Sequence, residues 1–419
     1  MTQKTKLVCL SDIMLVPSGV GTQMRYIAEG LLRTGRYTLR MVGGAVKHPN
    51  YTPIKVDPWG DDCVIFPKDG FGDKMFLRML IDSEKPDALF IFTDPRFWVW
   101  LYEMSDEILN QCPIIYNHIW DNYPPPKFNN DFYRSTTFLG CISKLTHNCV
   151  TKLGHETRSA YIPHAVPHDL FKPLSEAEII KHKEMLLGKD NVDRFVIFWN
   201  NRNARRKNPS DVIYATKMLA DKYPGKIKLI MHCNPGDQEG PNLVEVMNEF
   251  NAQDCVMFST DKIPPEKLNI LYNIADVTLN IAYAEGFGLS ALEARNAGCC
   301  TINNKTGGLQ DQIDPEMKEE DRWGISLEPA VITYVGSQQI HTIAEDRVSH
   351  EQVVESLEYF YKLGREECRR RGQIAREWTV QHFNFDKMIS TWDEKIQEVI
   401  QSYGKPPYDH WKPWRTHII

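Results

Sequence analysis

Ala275-Asp276-Val277-Thr278-Leu279-Asn280-Ile281-Ala282-Tyr283-Ala284-Glu285-Gly286-Phe287-Gly288-Leu289-Ser290-Ala291-Leu292-Glu293-Ala294 decides how this chain reads. Ala275 to Ala282 is an apolar run of the kind that forms a buried parallel strand. Leu289 to Ala297 has a helical pattern, and Gly298 stands where a helix C-terminal glycine belongs. The order is strand, glycine turn, helix. It aims bare backbone N–H groups and the positive end of a helix dipole at whatever lies above the strand, and phosphate is the natural guest. Glu285 and Glu293 are spaced E-x7-E. Seven intervening residues are about two helical turns, so Glu293 lies near the same face as the turn. An acid beside a phosphate repels it, so the expected partner of the acids is a hydroxyl. Phosphate together with hydroxyls describes a sugar nucleotide. The plainer alternative is a glycine-capped strand–helix unit with ordinary surface acids. The second acid, Gly298 and the downstream pair Gly307-Gly308 weigh against it.

A length of 419 residues suffices for two domains. The formal charge of −6 is mild, and no lysine–arginine stripe suggests a duplex nucleic acid. No window approaches the roughly 18 apolar residues of a membrane span. The N-terminus starts polar and passes at once into the apolar Leu7 to Leu10, unlike a signal peptide. The 10 cysteines lack paired C-x-x-C spacing, and Cys9, Cys255, Cys299 and Cys300 sit in apolar runs, as buried free thiols do. A reducing cytoplasm is the expected compartment.

Both halves alternate short apolar runs with helical patterns, which implies parallel, doubly wound sheets. In the first half the expected strands are Lys6–Leu10, Leu39–Val42, Ala88–Thr93, Ile114–Asn117 and Thr137–Ile142, with a helix from about Thr22 to Thr34. In the second they are Phe195–Asn200, Ile227–His232, Cys255–Ser259, Val277–Ile281 and Cys300–Asn303, with a helix over Pro209–Lys222. Helices are expected at Val353–Trp378 and Phe385–Tyr403, followed by an aromatic tail with Trp411 and Trp414. The expected division is 1–172, 173–382, and a returning helix and tail at 383–419. Ligands of such sheets bind at the carboxyl ends of the strands, and in two-domain chains usually in the cleft between domains.

The segment from Ala275 to Gln310, with EGFGLSALEARNAG and then TGG, resembles the signature region of retaining glycosyltransferases of family 4. The resemblance implies a GT-B fold: two doubly wound Rossmann-like domains with an interdomain cleft. It implies transfer of a sugar from a nucleoside diphosphate to an acceptor hydroxyl with retention of configuration.

Further residues are read with that family in view. Asn200 to Asn208 (NNRNARRKN) follows a strand and carries the charge a diphosphate needs, Arg offering bidentate contacts and Lys a point charge. Arg202 and Lys207 occupy the family's Arg and Lys places, while Asn201 and Asn208 replace its glycines and put the loop shape in question. The loop with Gly19 and Gly21 resembles the family's first-domain glycine loop near the diphosphate and acceptor. It lacks the third glycine and the downstream acid of a dinucleotide fingerprint. The family also places a histidine near the donor sugar where His118 stands. Ile162 to Pro173 resembles the interdomain motif and reads as a hinge.

The expected catalytic residues are therefore Glu285, His118, Arg202 and Lys207. Donor contacts are expected from Gly19, Gly21, Arg202 and Lys207, and from Gly286, Phe287, Gly288, Leu289, Ser290 and Glu293. No Asp-x-Asp stands where metal-dependent sugar-nucleotide enzymes place one, so fixed cations and a helix dipole are expected to stabilise the leaving diphosphate without metal or other cofactor. The acceptor is expected to be a glycan or a small hydroxyl compound bound by the first domain, where Asp94-Pro95-Arg96-Phe97-Trp98 offers aromatic surface. A sugar phosphorylase or epimerase on the same fold, a transferase acting on a modified nucleic-acid base, and a silent glycan-binding relative are the competing readings.

Overall fold

A computed structural model of the chain describes residues 4–408. The chain divides into two units, Met1–Ala165 with Phe385–Ile419, and Val166–Asn384. The second unit thus begins at Val166 rather than 173, and the last helix belongs to the first unit. Trp411 and Trp414 lie outside the described residues.

The strands of the first unit are β1 (Thr5–Asp12), β2 (Tyr37–Gly44), β3 (Ile54–Val56), β4 (Gly60–Pro67), β5 (Ala88–Phe92), β6 (Ile114–His118), β7 (Phe138–Cys141) and β8 (Ser159–Tyr161). They form one sheet in the order β3-β4-β2-β1-β5-β6-β7-β8, with only β3 antiparallel to its neighbour. Leu7, Val8, Cys9 and Leu10 are all buried, which is why this strand reads as a continuous apolar run instead of alternating. The strand order reverses between β1 and β5, which pair from Leu7↔Ala88 to Leu10↔Ile91. Gly44 to Asp87, where no element is expected from the sequence, supplies β3, β4 and the helix Lys74–Glu84.

In the second unit β9 (Phe195–Asn200), β10 (Ile227–His232), β11 (Val256–Ser259), β12 (Val277–Asn280), β13 (Cys300–Asn304) and β14 (Gly324–Leu327) form a parallel sheet ordered β11-β10-β9-β12-β13-β14. Its order reverses between β9 and β12, paired through Val277↔Ile197. Ile197, Trp199, Leu229, Leu279 and Ile302 fill the core. A two-stranded antiparallel hairpin, β15 (Val331–Val335) and β16 (Ile343–Arg347), follows β14. The single helix expected over Val353–Trp378 is two, His350–Leu363 and Arg365–His382, because Gly364 takes a φ of 78° and breaks the run. All ten cysteines are free and buried.

The Phe385–Ser402 helix closes the first unit. Trp392 is fully buried, edge-on to Phe90 at 5.0 Å and to Phe138 at 6.5 Å, and lies so close over Gly140 that a Cβ there would collide with its ring. Asp393 accepts a 2.6 Å bond from the Tyr37 hydroxyl. Trp392→Ala leaves an indole-sized hole beneath β5 and β7 and is expected to destabilise this unit by about 3–5 kcal/mol in denaturant unfolding. A loss under about 1 kcal/mol would show that the unit does not depend on its C-terminal helix.

Candidate active site

In a doubly wound sheet the strand-order reversal opens a crevice at the carboxyl ends of the two flanking strands. In the second unit these strands are β9 and β12. The loop after β9 carries Arg202, Arg205, Arg206 and Lys207, and the loop after β12 carries Glu285 to Gly288. The structure joins the two loops. Lys207 Nζ donates to Glu285 Oε2, with both side chains only 10% exposed. Arg206 Nη1 donates to the Ala284 carbonyl at 2.9 Å and stands 4.0 Å from Glu285 Oε1. Burial by itself raises the Glu285 carboxyl. The Lys207 and Arg206 charges outweigh it and hold the group below its ordinary value, so Glu285 is ionised. Asn208 adopts φ 57°, a left-handed position that asparagine tolerates, and its Oδ1 accepts from the Tyr283 hydroxyl at 2.8 Å.

Close backbone packing shapes the glycine turn. Gly288 has φ 95°, and a Cβ there would run into Leu309. A Cβ on Gly308 would strike the Gly286 carbonyl, and Gly308 N donates to the Glu285 carbonyl at 2.9 Å. The Gly307-Gly308 pair is therefore a strut beneath the turn. Gln312 reinforces it: its Nε2 donates to the Phe287 carbonyl at 2.5 Å, while its Oε1 accepts from the buried Arg295 guanidinium. With no carboxylate beside it, burial brings Arg295 down to about 9. From Gly288 the chain enters the helix Leu289–Asn296, so Leu289 and Ser290 sit at its positive end.

Glu293, on this helix, has a different environment. It is almost fully buried, and Oε2 accepts from the Tyr272 hydroxyl at 2.7 Å. Burial dominates and pushes its carboxyl up to about 7. The two acids of the motif are thus separated in charge state by their surroundings.

Other sequence-derived candidates stand apart from this group. Arg202 is 63% exposed and makes a two-bond fork to Asp237, at 2.8 and 3.0 Å. It is Arg206, not Arg202, that accompanies Lys207 at Glu285. Arg205 pairs with Glu345 of β16. His118 is fully buried between Tyr116 and Tyr133, bonded to the Tyr133 hydroxyl at 2.5 Å, and burial lowers it to about 3. It is a neutral core side chain here, without a surface to offer a sugar. Gly19 opens the helix Gly19–Arg33, and Gly21 is required by close approach, since a Cβ would lie 2.8 Å from the Ile13 and Val16 carbonyls. Both lie after β1, beside the reversal in the first unit's sheet. The sequence reading counted Arg206 only within the basic run, giving the specific role to Arg202, and missed Tyr272, Gln312 and Glu345. The last three reach the site from separate elements, which no local pattern near Glu285 reveals.

Residues 186–320 match the family model of glycosyl transferases group 1, a match lying wholly within the second unit. A D-inositol 3-phosphate glycosyltransferase of Corynebacterium jeikeium is 32% identical over 28% of this chain and 29% of its own length. The matched region thus spans under a third of this curated relative. Among solved structures, a sucrose-phosphate synthase of Thermosynechococcus elongatus superimposes with a TM-score of 0.76 at 14% identity, covering 95% of this chain and 100% of that one. Anabaena HepE in complex with UDP-glucose gives 0.68 at 12% identity, over 94% and 99%. These likenesses show the fold, two Rossmann-like units of the GT-B class.

The raised Glu293 carboxyl has a consequence for stability. Between 4.5 and about 7 the folded protein keeps a proton that the unfolded chain has released, so stability falls as pH rises through this window and levels off above it. Glu293→Gln removes that dependence. The variant is expected to exceed the parent above pH 7 by up to about 3 kcal/mol, with the gap closing toward pH 4. Denaturation midpoints across that range check it, and a gap independent of pH would show that Glu293 titrates normally.

Proposed function

We propose that the chain is a retaining, metal-independent glycosyltransferase that moves a sugar from a nucleoside diphosphate to an acceptor hydroxyl. The observation that carries this reading is the meeting of Lys207, Arg206 and Glu285 with the glycine turn at the carboxyl ends of β9 and β12. It falls inside the segment that matches glycosyl transferases group 1. One acid against two cations leaves a local charge of +1, and the end of the Leu289–Asn296 helix adds a partial positive charge. A diphosphate of charge about −2 is stabilised there, most strongly as the bond to the sugar breaks. Glu285, ionised and fixed by Lys207, accepts hydrogen bonds from hydroxyls of the transferred sugar. Glu293 accepts from the ribose. The leaving diphosphate takes the acceptor proton on the face it departs from, which preserves configuration without an enzymatic nucleophile. The HepE complex makes UDP-glucose the first donor to try. The curated relative is named for a phosphorylated cyclitol. The family match covers only the donor-side unit, so the acceptor class is open to a hydroxyl compound with or without phosphate.

Hydrolysis and transfer assays on a panel of sugar nucleotides test the reading, with the anomeric configuration of the product read by NMR. No turnover of any donor, or an inverted product, would refute it.

Lys207→Ala is expected to lower kcat by about 10²–10³ with every accepted donor, because all share the diphosphate. Glu285→Gln should instead discriminate between two donors that differ at one hydroxyl. If the selectivities are interchanged, the two roles are wrongly assigned.

Turnover is expected to persist in EDTA, since fixed cations supply the positive field. Activity lost on chelation and restored by Mg²⁺ or Mn²⁺ would defeat the metal-independent mechanism.

A further inference from the structure

Behind Glu293 lies a polar chain that the reaction does not by itself require. Tyr272, on the helix Pro265–Ile274, is fully buried. Its hydroxyl donates to Glu293 Oε2 at 2.7 Å and accepts from Asn200 Nδ2 at 2.8 Å. Its ring is wedged edge-on against Phe198 at 5.0 Å and Phe171 at 5.9 Å, so it has no freedom to swing away. Asn200 is the last residue of β9, at the root of the loop that carries Lys207. The three side chains run from the strand bearing the diphosphate loop to the acid on the Leu289–Asn296 helix. A carboxylate has about four lone-pair sites. Tyr272 takes one of them on Oε2, which restrains the carboxyl group and leaves its other sites for further partners.

We propose that Tyr272, held by Asn200, is a positioning residue that orients Glu293 to read the ribose diol, and so makes the site selective for ribonucleotide over deoxyribonucleotide donors. The proposal rests on the ribose role given to Glu293 above. Burial keeps the Tyr272 phenol protonated well beyond neutral pH, so it remains a hydrogen-bond donor to the Glu293 carboxyl group. Without its hydroxyl, Glu293 would still be present but would rotate and lose the paired geometry. A chain that merely satisfied buried polar atoms would support stability and leave nucleotide selectivity alone.

The test is calorimetric binding of UDP and of 2′,3′-dideoxyuridine diphosphate to the full chain. Above pH 7, where Glu293 is ionised, the parent is expected to favour UDP by about tenfold or more, as hydrogen bonds to a charged group imply. Tyr272→Phe keeps the ring and its packing. It is expected to weaken UDP by about tenfold while changing the dideoxy analogue less than about twofold. Asn200→Ala, which leaves Tyr272 in place, should show a smaller loss in the same direction. Equal weakening of both nucleotides, or no weakening of either, in Tyr272→Phe would overturn the positioning role. Glu293→Ala separates the two levels. If it abolishes the preference for UDP and Tyr272→Phe leaves that preference intact, the ribose reading stands and the relay falls. If Glu293→Ala binds UDP as the parent does, the ribose reading itself falls.

Discussion

The buried contact between Lys207 and Glu285 is the constraint on which the candidate site depends. It ties the loop after β9 to the loop after β12, the two strands at which the sheet reverses. A buried ion pair is a poor source of net stability, since desolvation consumes most of the Coulomb gain, but losing one partner is costly because the other stays buried and charged. That asymmetry makes the pair a specifier of geometry. With Lys207 in place Glu285 is ionised and aimed, and the turn that follows it is held from below by Gly308 and Gln312.

The hairpin β15–β16 extends the same logic. Glu345 pairs with both Arg205 and Arg347, and the Arg347 guanidinium lies 4.3 Å over the Tyr283 ring. Asp346 N bonds to the Tyr283 carbonyl at 2.8 Å, and Tyr283 in turn bonds to Asn208. The basic loop is thus held by three acids: Asp237 at Arg202, Glu345 on the hairpin at Arg205, and Glu285 of the motif at Lys207. Two of its four cations are turned outward onto Asp237 and Glu345, and two inward onto Glu285.

Much of this was legible in the sequence because local pattern and tertiary role coincide there. Phe195–Asn200, Pro209–Lys222 and Ile227–His232 have the bounds their apolar periodicity indicates. The glycine turn could be read because Gly288 and Gly308 answer to steric demands that few other residues meet. Legibility failed where the deciding contact comes from afar. Nothing near Arg202 shows that Asp237 will claim it, and nothing near His118 shows that Tyr116 and Tyr133 will enclose it. The helix expected over Val353–Trp378 runs across Gly364, whose positive φ divides it. No element is expected from the sequence between Gly44 and Asp87, where β3 is only three residues at a sheet edge and β4 begins Gly60-Asp61-Asp62 before its apolar residues.

The cysteines carry a consequence of another kind. Cys9, Cys63, Cys112, Cys141 and Cys149 are sealed in the first unit, and Cys233, Cys255, Cys299, Cys300 and Cys368 in the second. Burial raises thiols such as Cys112, Cys149, Cys233 and Cys299 to about 12, so they are neither solvent-accessible nor appreciably deprotonated while folded. An alkylating reagent gains access only when a region opens. The chain therefore carries a distributed set of intrinsic labels, and mass mapping of modified sites over time would resolve the opening of each unit without any engineered probe.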